Sequence, residues 1–156
     1  MSEHCYNLIH NRAYSISEVI LRFAVDVKGK REENTLGMMT INLANALRLQ
    51  KRLPEAKTVL ATKDWSGSSR ALKLGVAAAS EDVAAVVQLM REVGNKGDVR
   101  AEDYRTWPIF RGIRERSKFA QAFKSIFRES LIKPTDTVQT AETVAPVAPS
   151  TPPTKH

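Results

Sequence analysis

Cysteine is nearly missing from this chain. Cys5 is the single one in 156 residues, which excludes an internal disulfide framework. Histidine is scarce as well: His4, His10 and His156 are too few for most zinc architectures, since a closed structural site needs four ligands. Cys5 with His4 and His10 is the only cluster of soft ligands, and we expect no metal there. A nucleophilic role for Cys5 would need a placed base and an oxyanion donor, and the sequence supplies neither. Phosphate loops of the GxxxxGK[ST] or GxGxxG kind are absent, and so is HExxH. No apolar run approaches the ~18–20 residues that cross a bilayer. The start, Met1-Ser2-Glu3-His4, lacks the basic flank and apolar stretch of a secretory signal. We therefore expect a soluble, cytoplasmic chain that is not an enzyme, with no catalytic residues, no cofactor, no metal and no membrane contact.

Proline is scarce except at one end. Five of the seven prolines lie between Lys133 and His156, beside six threonines, and this stretch has no Leu, Ile, Phe, Tyr, Trp or Gly. It cannot bury enough apolar surface to offset an ordering cost of ~1–2 kcal/mol per residue. The expectation is a disordered Pro/Thr-rich tail over 133–156. Its Pro149-Ser150-Thr151-Pro152 run fits only the loose PxxP pattern and reads as solvated tail. The body, 1–132, is long enough for one domain.

Within the body, periods of three and four recur and sustained alternation does not. The first elements are N-terminal helices over 1–31. A short one lies around Tyr6–His10. The next opens on Ser15-Ile16-Ser17-Glu18, a capping-box pattern, and carries Ile16, Val19, Ile20, Phe23 and Val27 as one apolar stripe before stopping near Lys28-Gly29-Lys30. Residues 32–132 read as helix pairs. One helix spans about Glu33 to Lys51 and is apolar on two sides, as suits a helix packed between two neighbours. Its partner runs from Leu53 to about Thr62, with Pro54 tolerated in the first turn. A second pair covers Ala71–Ala79 and Val83–Val93. A short piece comes next at Ala101–Arg105, then a helix start at Thr106-Trp107-Pro108. The final helix, Lys118 to about Ser130, should lay Phe119, Phe123 and Phe127 over the Val83–Val93 helix and cap the stack. The acidic pairs Glu32-Glu33, Glu81-Asp82 and Glu102-Asp103 stand at helix starts, where capping and the helix dipole account for them.

The pairs repeat. Leu43-Ala44 and Leu74-Gly75 stand 31 residues apart, and Leu53, Ala56, Val59 and Leu60 map onto Val83, Val86, Leu89 and Met90 at a spacing of 30. A further shift of 36 reaches Phe119, Ala122, Ser125 and Ile126, which points to a third pair. Leu43-Ala44, Leu47, Ala56 and Leu60 resemble the small-and-large spacing of a tetratricopeptide repeat. The run from Asp64-Trp65 to Glu129, with Tyr104-Arg105-Thr106-Trp107-Pro108-Ile109-Phe110, is also similar to the C-terminal helical region of uncharacterised bacterial proteins. The resemblance spans roughly residues 36–129. It implies an all-α fold of antiparallel helix pairs stacked as a short tetratricopeptide-like α-solenoid. The chain departs from that pattern at Thr40, where a consensus aromatic would stand, at Lys63 and at Val86.

Charge is uneven. The chain holds 24 Lys and Arg against 17 Asp and Glu, a net +7. Arg111, Arg114, Arg116, Lys118, Lys124 and Arg128 face one acid, Glu115, so this segment supplies +5. An anionic partner would use it, and a solvated helix face would also explain it. Were four of these charges to neutralise duplex phosphates, log affinity would fall with log salt at a slope of about −3.6. Trp65 and Trp107 sit in turns. They are either partner anchors, as Trp is enriched at hot spots, or plugs between helix pairs. Three functions are expected from these features: a non-enzymatic protein–protein interaction module; a nucleic-acid-binding accessory or regulator using the 111–128 face; or a helical fragment of a larger enzyme, which obligate association through an exposed apolar face on the Ser15–Val27 helix would favour.

Overall fold

The structure, a computed structural model, describes residues 2–27 and 32–131, with the backbone alone for 2–5. The expected tail over 133–156, the expected helix stop at Lys28-Gly29-Lys30 and the side chains of His4 and Cys5 lie outside the described residues. Among those residues the fold is all-α, with no strand. The helices are α1 (Ser2–His10), α2 (Tyr14–Asp26), α3 (Glu33–Leu49), α4 (Leu53–Leu60), α5 (Arg70–Ala79) and α6 (Val83–Val93). After these come α7 (Ala101–Thr106), a single 3-10 turn at Pro108–Phe110, and α8 (Ser117–Phe127).

One turn is used three times. Arg12, Lys51 and Glu81 take left-handed φ values of 63°, 67° and 60° directly after α1, α3 and α5. In each turn the next amide reaches back across the helix end: Ala13 N–H to Leu8 O (2.8 Å), Arg52 N–H to Leu47 O (3.0 Å) and Asp82 N–H to Ala77 O (3.0 Å). This is the Schellman closure, formed here without glycine. It folds α1/α2, α3/α4 and α5/α6 into three helical hairpins. The 30-residue spacing of Lys51 and Glu81 matches the spacing of the sequence repeat. The N-terminal helices are thus a hairpin of the same make.

Beyond α6 the expected third pair fails to appear in that form. α7 is only 6 residues long and the helix start expected at Thr106-Trp107-Pro108 yields one 3-10 turn. The 3-10 turn ends at Arg111, which is extended (φ −60°, ψ 132°); Gly112, at φ +80°, takes the left-handed position of a type II turn closed by Ile113 N–H to Phe110 O (3.1 Å), and further turns carry the chain to α8. α8 packs on α6 as expected, with Phe119 and Phe123 fully buried.

The apolar stripe expected on α2 forms, and it faces outward. Ile16, Val19, Ile20, Phe23 and Val27 are exposed, while Ser17, Glu18, Leu21 and Ala24 are buried. The expected capping box does not form: the N-cap is Ala13 with no side-chain bond, and Ser17 Oγ donates to Ala13 O (3.1 Å). Glu18 turns toward the end of α3 and accepts from Arg22 Nε (2.9 Å), Gln50 Nε2 (2.9 Å) and Arg52 Nη1 (2.7 Å). Small residues at 17 and 24 let α2 lie close on α3, and three donors satisfy the carboxylate that this contact buries. The chain buries the face it can satisfy and pack closely, and the greasier face is left outside.

Two buried clusters form the interior. One joins α1 to α4 with Leu72 and Ala79; the other joins Leu74, Ala77 and Ala78 of α5 to α6, Val99, Tyr104, Phe110, Ile113 and α8. Ile109 packs against both. α3 lies between α2, α4 and α5, in agreement with its two apolar sides. The small residues of the repeat pattern sit where helices cross: Ala44 and Ala56 have no exposed surface, and a Cβ on Gly75 would stand 3.1 Å from Ile41 Cγ2.

Candidate functional site

α1, α3, α5 and the 107–110 segment leave an open groove of about 270 Å³. Met38, Ile41, Asn42 and Asn45 form its α3 wall, at the i, i+3, i+4, i+7 spacing of one helix face. α5 contributes Ala71, Leu72, Leu74 and Gly75, and α1 contributes Tyr6 and Ile9. Trp107, Pro108, Ile109 and Phe110 form the remaining side. Trp107 stacks on Phe110 with ring centroids 6.3 Å apart and planes 4° from parallel. The polar side chains of the wall are Tyr6, Asn42, Asn45 and Trp107, and among the described residues no carboxylate, histidine, lysine or arginine lines it.

A buried arginine holds the 107–110 side in place. Arg48 is 4% exposed. Its Nη1 donates to Arg111 O (3.0 Å), and its Nη2 to Ile109 O (3.1 Å) and Asn45 Oδ1 (2.8 Å). Nη1 also lies 3.4 Å from Glu81 Oε1. Burial draws the Arg48 pKa below its usual range, and Glu81 opposes that shift. A segment with one 3-10 turn cannot satisfy all its own carbonyls. Arg48 supplies the missing donors from α3 and so fixes the groove's width.

The expected site residues divide. Trp107 is on the groove. Trp65 lies away from it, half-buried between α3 and α4: its Nε1 donates to Leu60 O (2.8 Å) and its ring packs beside Gly37. Lys63 stands over that ring at 5.6 Å and also pairs with Glu33 (2.7 Å). Arg111 donates to Tyr14 Oη and to His10 O, tying the segment back to the first hairpin. Arg114 donates to Tyr104 O (2.9 Å) and Trp107 O. These two arginines serve as internal staples. Arg116, Lys118, Lys124 and Arg128 are exposed, and none makes an ion pair with a described residue.

Sequence reasoning missed the groove and Arg48. Arg48 reads as a surface position near a helix end, and only its spacing of three from Asn45 gave a local signal. Among the described residues no group of three or more His, Cys, Asp or Glu is placed to hold a metal, and no helix is long and apolar enough to cross a membrane. No family model, no curated protein and no solved structure matches the chain.

Proposed function

We propose that this chain is a non-enzymatic interaction module, a short tetratricopeptide-like stack that accepts an apolar side-chain anchor of a protein partner in the α1/α3/α5 groove. The observation that supports this reading is the groove itself: preformed, aromatic on one side and lined by apolar groups with two asparagines. Its volume is below the ~300–1,000 Å³ usual for cofactor-sized ligands. It suits the single aromatic or aliphatic anchors that dominate protein interfaces. Asn42, half-buried, offers its amide group to the backbone of a bound segment, while Asn45 is held by Arg48.

A photo-crosslinking residue at Met38, which is 47% exposed, tests it in cells. A discrete protein adduct is expected. Ala71→Glu should abolish that adduct, because it puts a charge in the groove without removing any packing. The same probe at Lys124 is the control. The nucleic-acid reading rests on the four exposed cations at 116, 118, 124 and 128. Adducts confined to Lys124 and removed by nuclease, with a salt slope near −3.6 for labelled duplex, would transfer the assignment to it. No adduct at Met38 removes the interaction-module reading.

A further inference from the structure

A second surface, separate from the groove, is the exposed face of α2. Ile16, Val19, Ile20, Phe23 and Val27 are 57, 69, 36, 73 and 40% exposed. They fall at i, i+3, i+4, i+7 and i+11, one continuous stripe about 16 Å long. It leaves on the order of 500 Å² of apolar surface bare, near the upper end for a monomer. We infer that this stripe is a homodimer interface, in which α2 of one copy packs antiparallel on α2 of a second copy across a two-fold axis.

Three observations select a second copy. The two ends of the molecule differ. α2 packs on α1 and α3, and α8 packs on α6. The outer face of α8 presents Lys118, Gln121, Lys124 and Ser125. Head-to-tail association would set those charges against the stripe, whereas pairing like ends covers both stripes and closes the assembly. The charges flanking the stripe, Arg12 in the α1–α2 turn and Asp26 at the end of α2, are also self-complementary. Arg12 flanks the start of the stripe and Asp26 its end; both are exposed, and neither makes an ion pair with a described residue. Antiparallel pairing that places Val19 of one copy opposite Ile20 of the other brings each Arg12 beside the other copy's Asp26. Parallel pairing would set like charges together. Finally, two stripes remove about 1,000 Å² from water, the lower limit for a specific interface. The tail is a poor occupant, because it has no Leu, Ile, Phe, Tyr or Trp to seat against Phe23. The described chain also ends against α7, where Leu131 O accepts from Arg105 (3.3 Å).

Sedimentation equilibrium of the full chain tests this. A reversible dimer is expected at roughly 100 μM protein, the modest affinity of a small interface. Phe23→Glu should weaken it by about 10-fold or more and leave the helical circular dichroism and the melting temperature of the dilute monomer unchanged, because Phe23 is exposed. Arg12→Asp should weaken it, and adding Asp26→Arg should restore it. In a Cys5→Ser background, Ile20→Cys should oxidise to a covalent dimer and Val27→Cys should not. A wild-type chain that stays monomeric at that concentration overturns the proposal, whether or not it binds a different protein or a larger assembly through α2. So does a dimer indifferent to Phe23→Glu. Cross-linking at Val27 in place of Ile20 overturns the antiparallel arrangement.

Discussion

Two buried polar side chains behave in opposite ways. Arg48 satisfies two carbonyls and an asparagine at once. Arg48→Ala would leave Ile109 O, Arg111 O and Asn45 Oδ1 without a donor. A loss of about 3 kcal/mol in urea unfolding is expected, and crosslinking from the groove should fall with it. Tyr104 is fully buried among Phe110, Phe119, Phe123 and Phe127, with ring centroids 5.0 to 6.3 Å away, and its hydroxyl has no hydrogen-bond partner among the described residues. Burial accordingly raises its pKa. Tyr104→Phe removes a desolvated hydroxyl and keeps the ring. Stability should be unchanged or rise by about 1 kcal/mol. A clear loss would mean that the hydroxyl has an unseen partner.

Among the elements, α8 carries the second core cluster. Phe123 has no exposed surface, lies 4.8 Å from Phe127 and receives the Arg105 guanidinium over its ring at 4.9 Å. Phe123→Ala should cost about 3–5 kcal/mol, read as a lower urea midpoint. The elements were also the most legible part of the sequence. The 3.6-residue period gave α2 to α6 and α8 within a few residues, because each has an apolar face and most have a turn chemistry that stops them. Asp82 and Ser69 cap α6 and α5, accepting from Ala85 N–H (2.9 Å) and Leu72 N–H (3.3 Å). What the period left open was orientation. On α2 the hydrophobic count favours the stripe that stays outside, since packing distance and the three donors around Glu18 weigh more than greasiness. The groove was illegible for a related reason. It is made by Arg48 reaching 61 residues along the chain to Ile109, and local spacing does not encode such a contact.

For the whole molecule, the joint between the first two hairpins is electrostatic as well as apolar. Burial pushes the Glu18 carboxyl up, and the hydrogen bonds from Gln50 and Arg22, with the charge of Arg52, outweigh it, so its pKa lies below the usual 4.5. A carboxyl depressed by folding stabilises the folded state fully above its unfolded pKa. That contribution is lost as pH falls through the lower folded value. The wild-type chain should therefore lose melting temperature as the pH drops below about 4.5. Glu18→Gln should be less stable at neutral pH and should show a shallower acid limb. An identical acid limb in both would remove Glu18 as the source.

The staple beneath Ile109 and Arg111 has one more consequence. Because the backbone opposite α3 is anchored from within, the recess keeps its shape before anything arrives. For the partner segment proposed above, such walls would need no rearrangement, so most of the ordering entropy would fall on the guest. Selection should then depend on contour: a side chain one methylene too long is refused, and a shorter one is held weakly.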